Sequence, residues 1–123
     1  MYLNQARDFC NKALELIPDH AIDELGSLHN IMGAIYSEGG QFTEAVNHMQ
    51  QAIHFKDAAN NLYWGAVYRR NYAVFLADTG RLQDAMAYAR DALERLDRCG
   101  PNALEDAQIT QSLIVLIDKK MKY

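Results

Sequence analysis

Apolar residues recur every three to four positions along most of the chain, in runs interrupted at Pro18, Gly39-Gly40, Gly80 and Gly100-Pro101. Residues spaced i, i+3, i+4 and i+7 share one face of a helix, so the pattern predicts helices over 3–17, 21–38, 42–57, 59–79, 82–98 and 103–121. Each break has a local cause. Pro18 cannot donate to a helix ladder and turns Ile17 away from helical dihedrals, Gly39-Gly40 and Gly80 allow the positive φ of a helix stop, and Gly100-Pro101 does both. The stretch from Asp57 to Asn61 is the weakest boundary. The turns joining helices two and three, and four and five, are so short that each pair must lie antiparallel as a hairpin.

The two hairpins repeat one another. Gly33, Tyr36, Gly40, Phe42, Ala45 and Ala52 match Ala73, Leu76, Gly80, Leu82, Ala85 and Ala92 at a constant offset of 40, and Ala6 and Ala13 lie 39 before Ala45 and Ala52. A fixed period in this range marks a solenoid, whose units cover their apolar faces by stacking on their neighbours. The small residues allow close helix approach, with Tyr36, Phe42, Leu76 and Leu82 filling the space beside them; Ala66 falls outside this close-contact set. The fold class is all-α: a right-handed α-solenoid of antiparallel helical hairpins in one domain over 1–123. The first helix is the second half of a partial repeat, and the last begins an incomplete one.

Met32-Gly33-x-x-Tyr36 with Gly40, Phe42, Ala45 and Ala52, and again Tyr72-Ala73 through Ala92, resemble tetratricopeptide repeats over roughly residues 3–98. His29 and Arg69 stand where that family has its first large aromatic, and only Pro18 matches its closing proline. The period of 40 resembles the long-helix variety found in kinesin light chains and in bacterial signalling and regulatory proteins. The resemblance implies a protein interaction scaffold in which the first helices of successive hairpins line a concave groove. On these helices the groove residues would be Ser27, Asn30, Ala34 and Ser37, and Tyr63, Val67, Arg70, Asn71 and Val74. Asn side chains can pair with a peptide backbone in both directions, Arg70 can fork onto a carboxylate, and Tyr63 with Val67 offers an apolar pocket. A carboxylate clamp for a chaperone's C-terminal peptide would need Lys and Asn where Asn30, Ala34, Val67 and Val74 stand, which argues against that ligand.

Composition narrows the remaining classes. The 123 residues, 50% hydrophobic and 23% charged, suit a globular domain and exclude disorder. A net charge of −4 without a block of like charges argues against nucleic acid, although Tyr63-Trp64 and Tyr68-Arg69-Arg70 mix aromatic and basic groups. At helical spacing, Trp64, Tyr68, Tyr72 and Phe75 form a packing stripe instead. No apolar run is long enough to span a bilayer and no signal peptide opens the chain, so the reading is cytoplasmic, with Cys10 and Cys99 as reduced thiols. His20, His29, His48 and His54 lack metal-pair spacing, and neither a nucleophile elbow nor a P-loop is present. We therefore expect no enzyme activity, no metal and no cofactor.

The run Leu113-Ile114-Val115-Leu116-Ile117 is apolar around the whole helix, so something should cover it. Ile109, Leu113 and Leu116 share one face, and Ile114, Ile117 and Met121 an adjacent one. Only one can pack on the fifth helix, which makes Leu113, Ile114, Leu116, Ile117 and Met121 candidates for self-association as a homodimer. The other reading of the chain is a regulatory sensor or self-assembly segment of a larger signalling or transcription-regulatory protein.

Overall fold

In the computed structural model, which describes residues 2–123, the apolar runs form α1 (Tyr2–Leu16), α2 (Ile22–Glu38), α3 (Phe42–Ala58), α4 (Leu62–Asp78), α5 (Leu82–Cys99) and α6 (Leu104–Lys122). A 3₁₀ turn, Pro101–Ala103, precedes α6, and there is no strand among the described residues. Three helix ends share one turn. The amides of Gly40 and Gln41 bond back to Ser37 and Tyr36, those of Asn60 and Asn61 to Asp57 and Lys56, and those of Gly80 and Arg81 to Ala77 and Leu76. This is the Schellman pattern, whose pivot takes a positive φ: 75° at Gly40, 56° at Asn60 and 85° at Gly80. Asparagine tolerates that conformation, which is why the boundary near Asn61 is weakly marked in the sequence yet sharp in the fold.

The chain forms two compact units, Met1–Asn61 and Leu62–Tyr123. In unit 1, α2 packs on α3 and α1 on α2; in unit 2, α4 packs on α5, α5 on α6, and α4 also touches α6. The small repeat positions are in the core, with Ala45, Ala52, Ala73, Ala85 and Ala92 all 0% exposed. At Gly33 an added Cβ would lie 2.8 Å from Met49 Cγ, too close for any side chain to stay where it is. Ala66, expected outside the close-contact set, is also 0% exposed. It belongs with Gly26, forty positions earlier, where an added Cβ would lie 3.1 Å from Phe55 Cβ. Helix approach thus depends on a small pair one helical heptad before the one the sequence alignment marks.

Unit 1 closes around Cys10, Leu28 and Met32, with Ala13, Leu14, Ile17, Ile35 and Tyr36 packed beside them. The largest fully buried side chains of unit 2 are Tyr72, Leu76, Leu96 and Ile117, with Thr110. Ile117 is thus a core residue, so it cannot serve a self-association surface. Leu113 and Ile114 are half-buried, while Leu116 and Met121 are 50% and 43% exposed. Helix α6 turns its Ala107, Thr110 and Ile117 face inward, after buried Ala103 of the 3₁₀ turn, because these residues are small or compact enough to lie close to the hairpin before it.

Candidate functional site

In unit 2 the geometry begins at Asp106, in the first turn of α6. Its carboxylate accepts a very short hydrogen bond from the Tyr63 hydroxyl and a 2.8 Å ion pair from Arg70 Nη1. The tyrosine and arginine bonds hold the Asp106 carboxyl below its ordinary range, and the neighbouring carboxylate raises the Tyr63 phenol. Tyr63 and Arg70 are both on the first half of α4, so α4 and α6 have their N-termini at the same end. Val67 shares their face at i, i+4, i+7 and is only 5% exposed. Two expected groove roles change as a result. Val67 is core rather than an open pocket, and Arg70 already holds a carboxylate of its own chain.

Beyond this contact the face opens. The helix starts, Leu62 and Leu104, are 42 apart, because the 3₁₀ turn and a longer α5 add two residues to the period of 40. In that register Ile109 and Leu116 take the positions of Val67 and Val74. Val74, Ile109 and Leu116 are 41%, 49% and 50% exposed, Asn71 is exposed, and Leu113 is half-buried between the open residues of its helix. The positions that would meet a following helix, by analogy with Ala66 and Arg69 on α4, hold exposed Gln108 and Gln111. The apolar surface of α6 therefore lies on the side it shares with α4's outward residues, and not where the stack would continue.

Unit 1 carries a different chemistry. Lys56 is 2% exposed and donates to the Asp23 carbonyl at 3.0 Å, to Asp23 Oδ1 at 3.0 Å and to Ser27 Oγ at 2.8 Å. Asn61 Nδ2 adds a 3.0 Å bond to the same Asp23 oxygen. These bonds, from Asn61 first and Lys56 next, hold the Asp23 carboxyl below its usual value. Ser27, expected to face a ligand, is thus committed to Lys56. Asn30 and Ser37 are half-buried and Ala34 is exposed, with Ile31 beside them 51% exposed.

Sequence reasoning passed over Lys56, although a lysine within the buried stripe Ala45, Ala52, Ile53 of α3 is itself a signal that a partner must exist. His29 and His48, which lack the spacing of a metal pair on one helix, sit on different helices. They meet across α2 and α3, with Nδ1 atoms 2.9 Å apart. Trp64 contacts Tyr63 and Tyr68, whereas Tyr68, Tyr72 and Phe75 are buried, so most of the aromatic stripe is packing. Among the described residues no group of three potential metal ligands converges, and no helix is long and apolar enough to cross a membrane.

Residues 66–96 match a family model described as a tetratricopeptide repeat. The match runs from Ala66 on α4, through the Gly80 turn, to Leu96 on α5, so the similarity falls on the hairpin of unit 2. No curated protein and no solved structure matches the chain.

Proposed function

We propose that the chain is a noncatalytic, cytoplasmic protein–protein interaction scaffold, and that unit 2 takes up a peptide or protein segment on the outward side of α4 and α6. The observation that carries this reading is the exposure of Val74, Ile109 and Leu116 beside Asn71 on a tetratricopeptide unit. Isolated exposed apolar residues need no explanation, but three on adjacent helices in matching register form a surface that gains by being covered. Asn71 supplies both a donor and an acceptor for a backbone. The Tyr63–Asp106–Arg70 contact sets the position of α6 on α4, so the surface is formed before a partner arrives and less ordering entropy is lost on binding. In unit 1, Asn30, Ala34 and Ser37 on α2 are assigned the same role.

A photo-crosslinker at position 74 or 116 of the full chain should capture a discrete partner in its own cells, and one at exposed Arg90 should not. With that partner purified, Val74→Ser combined with Leu116→Ser should weaken binding about tenfold, roughly 1.4 kcal/mol, at an unchanged melting temperature. Equal capture from position 90, or unchanged binding by the double variant, would move the site elsewhere. A second reading, self-association through α6 as a regulatory or assembly segment, draws on the exposure of Val115, Leu116 and Met121. Sedimentation of wild type and Leu116→Asp across a concentration series separates it from the first.

A further inference from the structure

His29 on α2 is 6% exposed, and its Nδ1 lies 2.9 Å from Nδ1 of half-buried His48 on α3. Their centroids are 5.1 Å apart with the planes 23° from parallel, so the two rings meet edge to edge through these nitrogens. Tyr36 stacks on His48 at 5.2 Å and 1°, and Phe55 on His29 at 5.5 Å and 11°. Four rings, two from each helix, thus meet in one cluster across the α2–α3 contact.

The nitrogen–nitrogen contact limits the protons the pair can hold. A 2.9 Å separation between two ring nitrogens requires one to donate and the other to accept, so the neutral pair contains one Nδ1–H and one bare Nδ1. A first added proton can sit on an outward Nε2 and leave that bond intact. A second must go to the accepting Nδ1, which sets N–H against N–H and places two imidazolium charges in contact. The bond is then lost and the rings must separate.

We propose that the His29–His48 pair is an acid-sensitive latch that holds α2 to α3 near neutral pH and releases them when both rings are protonated. Forty positions later, unit 2 has Arg69 and Tyr88, and Arg69 Nε is ion-paired with Asp91 Oδ2 at 3.0 Å. An arginine keeps its charge throughout the range in which histidine titrates, so the second hairpin has no counterpart of the latch.

The groups around the pair agree with this assignment. Burial lowers both histidines, and each charge would further disfavour the other, His48 acting on His29. Glu44, one turn before His48 on α3, opposes the effect at His48. From α2 the titratable neighbour is the Tyr36 phenol; α1 packs on α2 through Cys10, Ala13, Leu14 and Ile17, of which only the Cys10 thiol titrates, and burial raises it. The folded pair thus binds protons less readily than the unfolded chain. Its contribution is complete above about pH 6.5 and is lost as the pH falls from there through the folded values.

Hydrogen exchange on the full chain, corrected for the intrinsic pH dependence, tests the latch. Between pH 7.5 and 5, amides of α2 and α3 should lose about tenfold protection or more while those of α4 and α5 keep theirs. In His48→Tyr, which copies Tyr88, the difference between the hairpins should vanish. Should that variant fail to fold, imidazole NMR titration of His29 and His48 in the wild type gives the answer. Expected are two midpoints for His29 and His48, separated from each other and both below the ordinary histidine range. Equal loss of protection in both hairpins, or His29 and His48 titrating together in the ordinary histidine range, would overturn the proposal.

Discussion

The two hairpins share their turns, their alanines and a period of 40, yet they fill their interiors by opposite means. Lys56 and Leu96 occupy the same repeat position and are 2% and 0% exposed. In unit 1 the ammonium has Asp23, Ser27 and Asn61 around it; forty positions on, those places hold Tyr63, Val67 and Pro101. Likewise Gly33 meets Met49 where Ala73 has Ala89 as its counterpart, a glycine with a long side chain in one hairpin and two alanines in the other. The comparison shows that the repeat keeps its turns and its buried positions, and leaves the size and polarity of the filling to whichever partners are present. A charge is tolerated inside only as a complete set.

Exchanging single members between the units should break that equivalence. Leu96→Lys places an ammonium among Tyr63 and Val67 with no carboxylate at the matching position, and should cost about 4 kcal/mol or more in denaturant unfolding. Lys56→Ala leaves Asp23 and Ser27 without their donor and opens a cavity, at about 2 to 4 kcal/mol, toward the low side because the Asp23 side chain is 46% exposed and can return to water. If Leu96→Lys costs no more than Lys56→Ala, the partner set is not what admits the buried lysine.

Next in size is the volume exchange. Gly33→Ala alone drives its Cβ against Met49, and Met49→Ala alone leaves a void, whereas the double variant copies unit 2. A double-mutant cycle should return a coupling of about 1 to 2 kcal/mol, and simple additivity would show that the two sites do not share space. The smallest effect separates the units by acid. Asp23 in unit 1 and Asp106 in unit 2 both have depressed folded pKa values, so their stabilisation is present above about pH 4 and lost as the pH falls through the folded values. Both units should weaken in that window when followed by hydrogen exchange, while only unit 1 weakens between about pH 6.5 and 5. A single acid transition common to both would remove the distinction.

Helix number, the hairpin turns and the 40-residue repeat are legible in the amino-acid order, because periodicity and the dihedral freedom of glycine act over a few residues. The turn at Asn60 was faint for the same reason: asparagine adopts a positive φ without announcing it. The small residues at Gly33, Ala45, Ala52, Ala73, Ala85 and Ala92 could be read from the repeat, while Gly26 and Ala66 escaped because their closeness depends on how far the helices cross. Tertiary structure alone decided the site. Arg70 has the chemistry to hold a partner's carboxylate, but α6 brings Asp106 to it; Val67 looks like pocket lining, but in the folded chain it is buried. Ile117 and Leu116 are adjacent in sequence and equally apolar, and which is core and which surface depends on the rotation of α6, set by a 3₁₀ turn two residues out of period. Local chemistry specifies what a side chain can do; the distance between helices specifies whether another residue of the same chain is already doing it.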